Sequence, residues 1–175
     1  MADTLTSALA TNLSWILTEG GPLSTVQDSA QLNFESATAD GVGAGQADVL
    51  WHDRRTLAAG AHDDLDLAGG LTRSLFGGSV TIAFAKAKAI VVKSLATASG
   101  DVLRVGPGAA SNSFTAPFGG VAGALVEVGP GSLLVLCELL DGWTVTPGTA
   151  DILRITNTSG TNSVDYDIAL LGTSS

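Results

Sequence analysis

Charge is scarce in this sequence. Only 14% of its 175 residues are Asp, Glu, Lys or Arg, against about a quarter in ordinary soluble domains. Basic residues are scarcest: none precedes Arg54, whereas Asp3, Glu19, Asp28, Glu35, Asp40, Asp48 and Asp53 do. The net charge is −9. Direct nucleic-acid binding is therefore not expected, because neutralising phosphates needs clustered Lys and Arg. The one cysteine, Cys137, excludes an internal disulfide and a cysteine-ligated zinc site, and it fits a chain folded in a reducing cytosol. Long apolar runs are missing too. The longest, "AIVV" and "LLVLC", fall far short of the roughly 20 residues a membrane helix needs, so no membrane partner is expected. "MADTLTSALATNLSWIL" has no basic residue, so no signal peptide is expected. The scarcity of charge and the 45% hydrophobic content argue against a disordered chain.

What is present points to one domain with a real core. From Ala47 onward, short apolar runs alternate with Gly, Pro, Asn and Asp: "DVLW", "SVTIAFAKAKAIVVK", "DVLRVG", "GALVEVG", "GSLLVLCEL", "GWTVT", "DILRITN" and "SVDYDIALLG". In the last, Val164, Tyr166 and Ile168 share one face, and Asp165 and Asp167 the other. Period-two alternation rich in β-branched residues predicts strands. "FAKAKAIVVK" also reads as a helix on the propensity of Ala and Lys, but its Ala/Lys alternation and "IVV" favour a strand. "VGPG" at 105–108 and 128–131, and "TPG" at 146–148, predict type II turns. About eight strands after residue 46 give the expected fold: an all-β, jelly-roll-like antiparallel β-sandwich over 47–175, with an extended N-terminal arm or extra hairpin over 1–46. Within the arm, "TSALATNLSWIL" suggests a short amphipathic helix carrying Leu9, Leu13, Ile16 and Leu17. "AQLNFESA" reads as a strand with Leu32 and Phe34 on one face.

No motif carries catalysis. Gly41, Gly43 and Gly45 are spaced too closely for a dinucleotide fingerprint, precede a strand rather than a helix, and lack the Lys of a phosphate loop; they read as a pliable link. His62, Asp63, Asp64 and Asp66 invite a metal or acid–base reading, yet miss the calcium-loop pattern. A polar turn with Leu65 and Leu67 inward and Asp64 and Asp66 outward explains them. Nothing places His52 beside His62. Asp165 and Asp167 fit a solvated strand face as well as an acid–base pair. Cys137 reads as a buried, inert thiol. Phe114 and Phe118, in a Gly/Ala/Pro-rich loop, are either interface aromatics or tucked beneath it. No catalytic, cofactor or metal residue is assigned, and no enzymatic activity is expected.

One long stretch has a familiar pattern. "GQADVLWHDRRTLAAGAHDDLDLAGGLTRSLFGGSVTIAFAKAKAIVVK", "VGPGSLLVL", "WTVTPGTADILRITNTSG" and "YDIALLG" together resemble small virion structural proteins of tailed bacteriophages. The likeness spans roughly 46–173, with "RSLFGGS" and "PGS" departing from the commonest forms. It implies a decoration, or cement, protein on the capsid surface, made in the host bacterial cytoplasm. The implied partners are the major capsid protein and further copies of the chain, as a trimer or dimer, with the arm adding a strand to a neighbour's sheet. A tail, baseplate or head-fibre component is the alternative; it would recognise host glycans through an aromatic groove at Phe114, Phe118 or Trp143. A small β-sandwich hydrolase using "HDDLD" or "DYD" is a third reading.

Overall fold

A computed structural model of the chain describes residues 4–20, 22–75, 78–108 and 112–175. The fold is all-β, and among the described residues the only helical element is a 3-10 turn at Ala116–Phe118. Strands run in chain order as β1 (Ser7–Gly20), β2 (Thr25–Thr38), β3 (Val49–Leu57), β4 (His62–Asp66), β5 (Leu71–Leu75), β6 (Gly78–Ile82) and β7 (Lys86–Ser94). They continue as β8 (Leu103–Pro107), β9 (Val126–Val128), β10 (Leu133–Cys137), β11 (Trp143–Thr144), β12 (Ile152–Asn157) and β13 (Val164–Thr173). One sheet has the order β10-β7-β13-β3, with β11 also on β7; the other is β4-β12-β8-β9. β1–β2 and β5–β6 are separate hairpins. Every pairing between these strands is antiparallel.

Alternation explains how the sheets meet. Val164, Tyr166, Ile168 and Leu170 turn one face of β13 inward, where Trp51 and Leu57 of β3 and Ile90 and Val92 of β7 join them. From the other sheet come Leu65, Leu103, Val105, Val128, Leu153 and Ile155. Full burial of side chains this size contributes roughly 1.5–3 kcal/mol each, so this shared core holds the sandwich together. Trp51 also donates its indole N–H to the Thr72 carbonyl at 3.0 Å, tying β5–β6 to the body.

Several local expectations change. "TSALATNLSWIL" is strand, not helix: all fourteen residues of β1 pair with β2, and Trp15 aligns with Leu9, Leu13 and Leu17 at period two. Cross-strand pairing overrides a weak helical spacing rich in Thr, Ser and Asn. "SVTIAFAKAKAIVVK" splits into β6 and β7. The first "VGPG" is not a turn, because Gly106 and Pro107 pair with Arg154 and Leu153 in the β8–β12 ladder; Pro is tolerated at a strand end. Cys137 is exposed, since it ends β10, the edge strand of its sheet. The departure at "RSLFGGS" includes 76–77, outside the described residues.

Candidate functional site

The acidic run is an ion-pairing surface. β4 sits beside β12 with Asp64 opposite Arg154. Arg154 donates from Nε and Nη2 to the two Asp64 carboxylate oxygens, both at 2.6 Å. That contact holds the Asp64 carboxyl below the ordinary aspartate range, against the opposing effect of partial burial. Asp63, the neighbour in sequence, points to the opposite face. Its Oδ2 accepts the Tyr166 hydroxyl at 2.9 Å and Arg55 Nη1 at 2.6 Å. Arg55 also donates to Asp53 at 3.0 Å, and its guanidinium lies 5.4 Å from the Trp51 ring centre. Burial, with Asp63 beside it, pushes the Tyr166 hydroxyl far up. Asp66 accepts the Ala68 amide at 2.8 Å and shapes the turn after β4. His62 is exposed, 3.9 Å from Asp64, and His52 projects from a different strand.

Asp165 and Asp167 are likewise engaged by their cross-strand neighbours. Asp167 receives Arg54 Nε at 2.6 Å and Nη2 at 3.0 Å, and Asp165 accepts the Thr56 hydroxyl at 2.6 Å. Arg54 holds the Asp167 carboxyl low. Among the described residues, no three His, Cys, Asp or Glu side chains converge as metal ligands. Phe114 is fully buried and Phe118 packs against the core, so both tuck beneath their loop; Trp143 packs there too.

The glycine stretch is a closed turn rather than a pliable link. Gly43 donates to the Gln46 side chain at 2.9 Å, and Gln46 donates back to the Gly43 carbonyl at 3.2 Å. Gly41 has φ +131, and a Cβ there would stand 2.6 Å from Gln46 Oε1, so only glycine fits without strain. Lys88 locks the turn from below. Its side chain is 1% exposed, and Nζ donates to the Gly43 carbonyl at 2.8 Å and the Leu140 carbonyl at 3.0 Å. It lies where the β7–β13 register slips: Leu171 faces Ala89, but Gly172 faces Ala87. The bulge turns the lysine outward under the loop. Burial lowers its pKa, and Lys86 adds to the effect.

The feature that sequence reading missed is the apolar face of β1–β2. The register puts odd residues of β1 and even residues of β2 on one side. That side carries Leu13, Trp15, Leu17, Val26, Leu32 and Phe34, all between 43% and 66% exposed. The opposite side is mainly polar, with Asn12 bonded to Asn33 and Gln27 to Thr18. Leu23, at the connecting turn, is 99% exposed. The large core cluster includes no described residue of 7–38. A cleft of about 400 Å³ opens at the hairpin's foot, on the apolar side, between Phe34 and the end of β10 at Cys137 with the following Leu139 and Leu140. The two in-phase period-two patterns of 7–20 and 25–38 were the available signal. No protein-family model matches this chain, and no curated protein matches it.

Proposed function

We propose that this chain is a structural component of a virus particle, which decorates and braces the capsid of a tailed double-stranded DNA bacteriophage by binding the lattice of its major capsid protein. The observation that carries the reading is the β1–β2 hairpin, a long amphipathic arm whose large apolar side chains face solvent. Patches of that kind mark protein–protein contacts, which here join copies of the chain into the oligomer that docks on the lattice. The resemblance over 46–173 supplies the kind of assembly. The candidate carboxylates all have structural partners, which suits a scaffold better than a reaction centre. Eight strands in two four-stranded paths suit a jelly-roll scaffold.

The physics of decoration needs no chemistry. A protein that binds only the mature shell stabilises it by mass action, and an oligomer engaging several sites gains avidity. The place of action is the capsid surface, after synthesis in the host cytoplasm. An aromatic groove at Phe114, Phe118 or Trp143 would support the glycan-binding alternative; Phe114 is 0% exposed, and the other two are partly buried against the core. Co-sedimentation with empty expanded heads and with unexpanded proheads tests the reading. Saturable binding to expanded heads is expected; no binding to either form overturns it.

A further inference from the structure

The hairpin's apolar face needs an occupant, and we propose that it is the same face of a second copy of this chain. Two β1–β2 hairpins stack face to face and antiparallel, so that Leu23 at each tip seats in the cleft at the other's foot. This deepens the self-association part of the reading above and rests on that part alone, not on the capsid.

Three observations select this occupant. The first is continuity. Phe34, Leu139 and Leu140 line the cleft on the side of the hairpin that bears Leu13, Trp15 and Leu32, so one apolar surface runs from foot to tip. Leu23 is a protruding apolar side chain, and the cleft is a matching recess at the far end. Only an antiparallel neighbour brings the two together.

The second is area. Fourteen residues per strand make a face about 45 Å long and about 10 Å wide at ordinary strand rise and spacing. Stacking two such faces removes on the order of 900 Å² before side-chain relief is counted. Two seated tips bring the total to about the 1,000 Å² that a specific interface requires. A lone two-stranded hairpin is marginal in water, and this pairing supplies the missing layer.

The third is charge. Residues 1–46 contain acids and no Lys or Arg. On the apolar face the acids are Glu19, opposite Val26, and Asp28, opposite Leu17, both near the tip. Parallel stacking would crowd four carboxylates from two copies. Antiparallel stacking sets each acidic end against a foot where the strands carry Ser7, Ser36 and Thr38, leaving Glu138 as the acid of the cleft.

The exposed Cys137 in that cleft makes the geometry testable. The full-length chain and its L23C variant are purified reduced, sized by sedimentation, then oxidised with diamide. The unaltered chain is expected to sediment at twice 17.5 kDa. On oxidation it should not cross-link, because its two Cys137 thiols lie at opposite ends of the paired hairpins. L23C should give a covalent dimer whose linked peptides join position 23 of one chain to Cys137 of the other. L13D, in the middle of the face, should weaken association about tenfold or more without changing the melting of the sandwich. A monomeric unaltered chain overturns the proposal. So does a trimer, a Cys137-to-Cys137 link, or an L13D dimer of undiminished strength. Absence of the chain from phage particles would sink the capsid reading and leave this result untouched.

Discussion

Across the two sheets of the sandwich, the Tyr166 hydroxyl donates to Asp63 Oδ2 at 2.9 Å. Tyr166 belongs to β13 and Asp63 to β4, and Arg55 of β3 completes the bridge at 2.6 Å. A hydrogen bond to a charged group contributes about 1.5–3 kcal/mol. Tyr166→Phe should cost about that much by urea unfolding. Asp63→Ala should cost more, because it strands a buried hydroxyl and a half-buried guanidinium together. In a double-mutant cycle the two changes should be clearly non-additive.

The same tyrosine sets an alkaline limit. Unfolded, its hydroxyl ionises near 10.0, whereas burial raises the folded value well above that. The folded state then holds the proton that the unfolded state releases, so stability is full below pH 10 and falls as pH rises beyond it. Thermal melts of the unaltered chain should decline above pH 10, and those of Tyr166→Phe less steeply.

Lys88 titrates with the opposite sign. Its folded pKa lies below the ordinary 10.5. Between the two values the unfolded chain binds more protons, so stability rises with pH as 10.5 is approached from below. Lys88→Met should remove that rise. It should also expose the Gly45 amide, which donates to Leu140 at 3.0 Å, to faster hydrogen exchange, because the lysine holds the Gly43 and Leu140 carbonyls together.

Gly172 is a packing necessity. A Cβ at this position would run into the Lys86 carbonyl oxygen and stand 2.8 Å from the Phe84 ring. Backbone cannot give way there without disturbing the bulge that places Lys88. Gly172→Ala should destabilise by about 1–3 kcal/mol or more, measured by chemical denaturation.

The hairpin should be separable from the sandwich. Replacing residues 10–35 by a two-residue turn removes no described member of the large core and keeps Leu5 and the glycine turn in place. The shortened chain should melt close to the unaltered one yet bind capsid shells more weakly in co-sedimentation, because a chain that no longer pairs loses avidity.

The fold class was legible because burial wrote a period of two into β12 and β13: Leu153 and Ile155, and Val164, Tyr166 and Ile168, lie inward as their alternation implies. β1 was harder to read. Leu9, Leu13, Ile16 and Leu17 satisfy a helical spacing almost as well, and only pairing with β2 decides between the two. The environments of Lys88 and Cys137 depend on a bulge and a sheet edge, which no local pattern encodes. The glycines at 41, 43 and 45 announced unusual backbone, but the partner of Gly45, Leu140, lies almost a hundred residues away. Asp63 and Asp64 looked like one cluster; a strand sends neighbours to opposite faces, and each found a different arginine.

The most direct test of the capsid reading is the copy number of this chain in purified particles from its source, by quantitative mass spectrometry against the major capsid protein. Decoration predicts a fixed stoichiometric ratio to that protein, with copies repeated across the whole shell. A handful of copies would contradict it in favour of a tail or fibre position, and absence from the particle would contradict a virion role altogether.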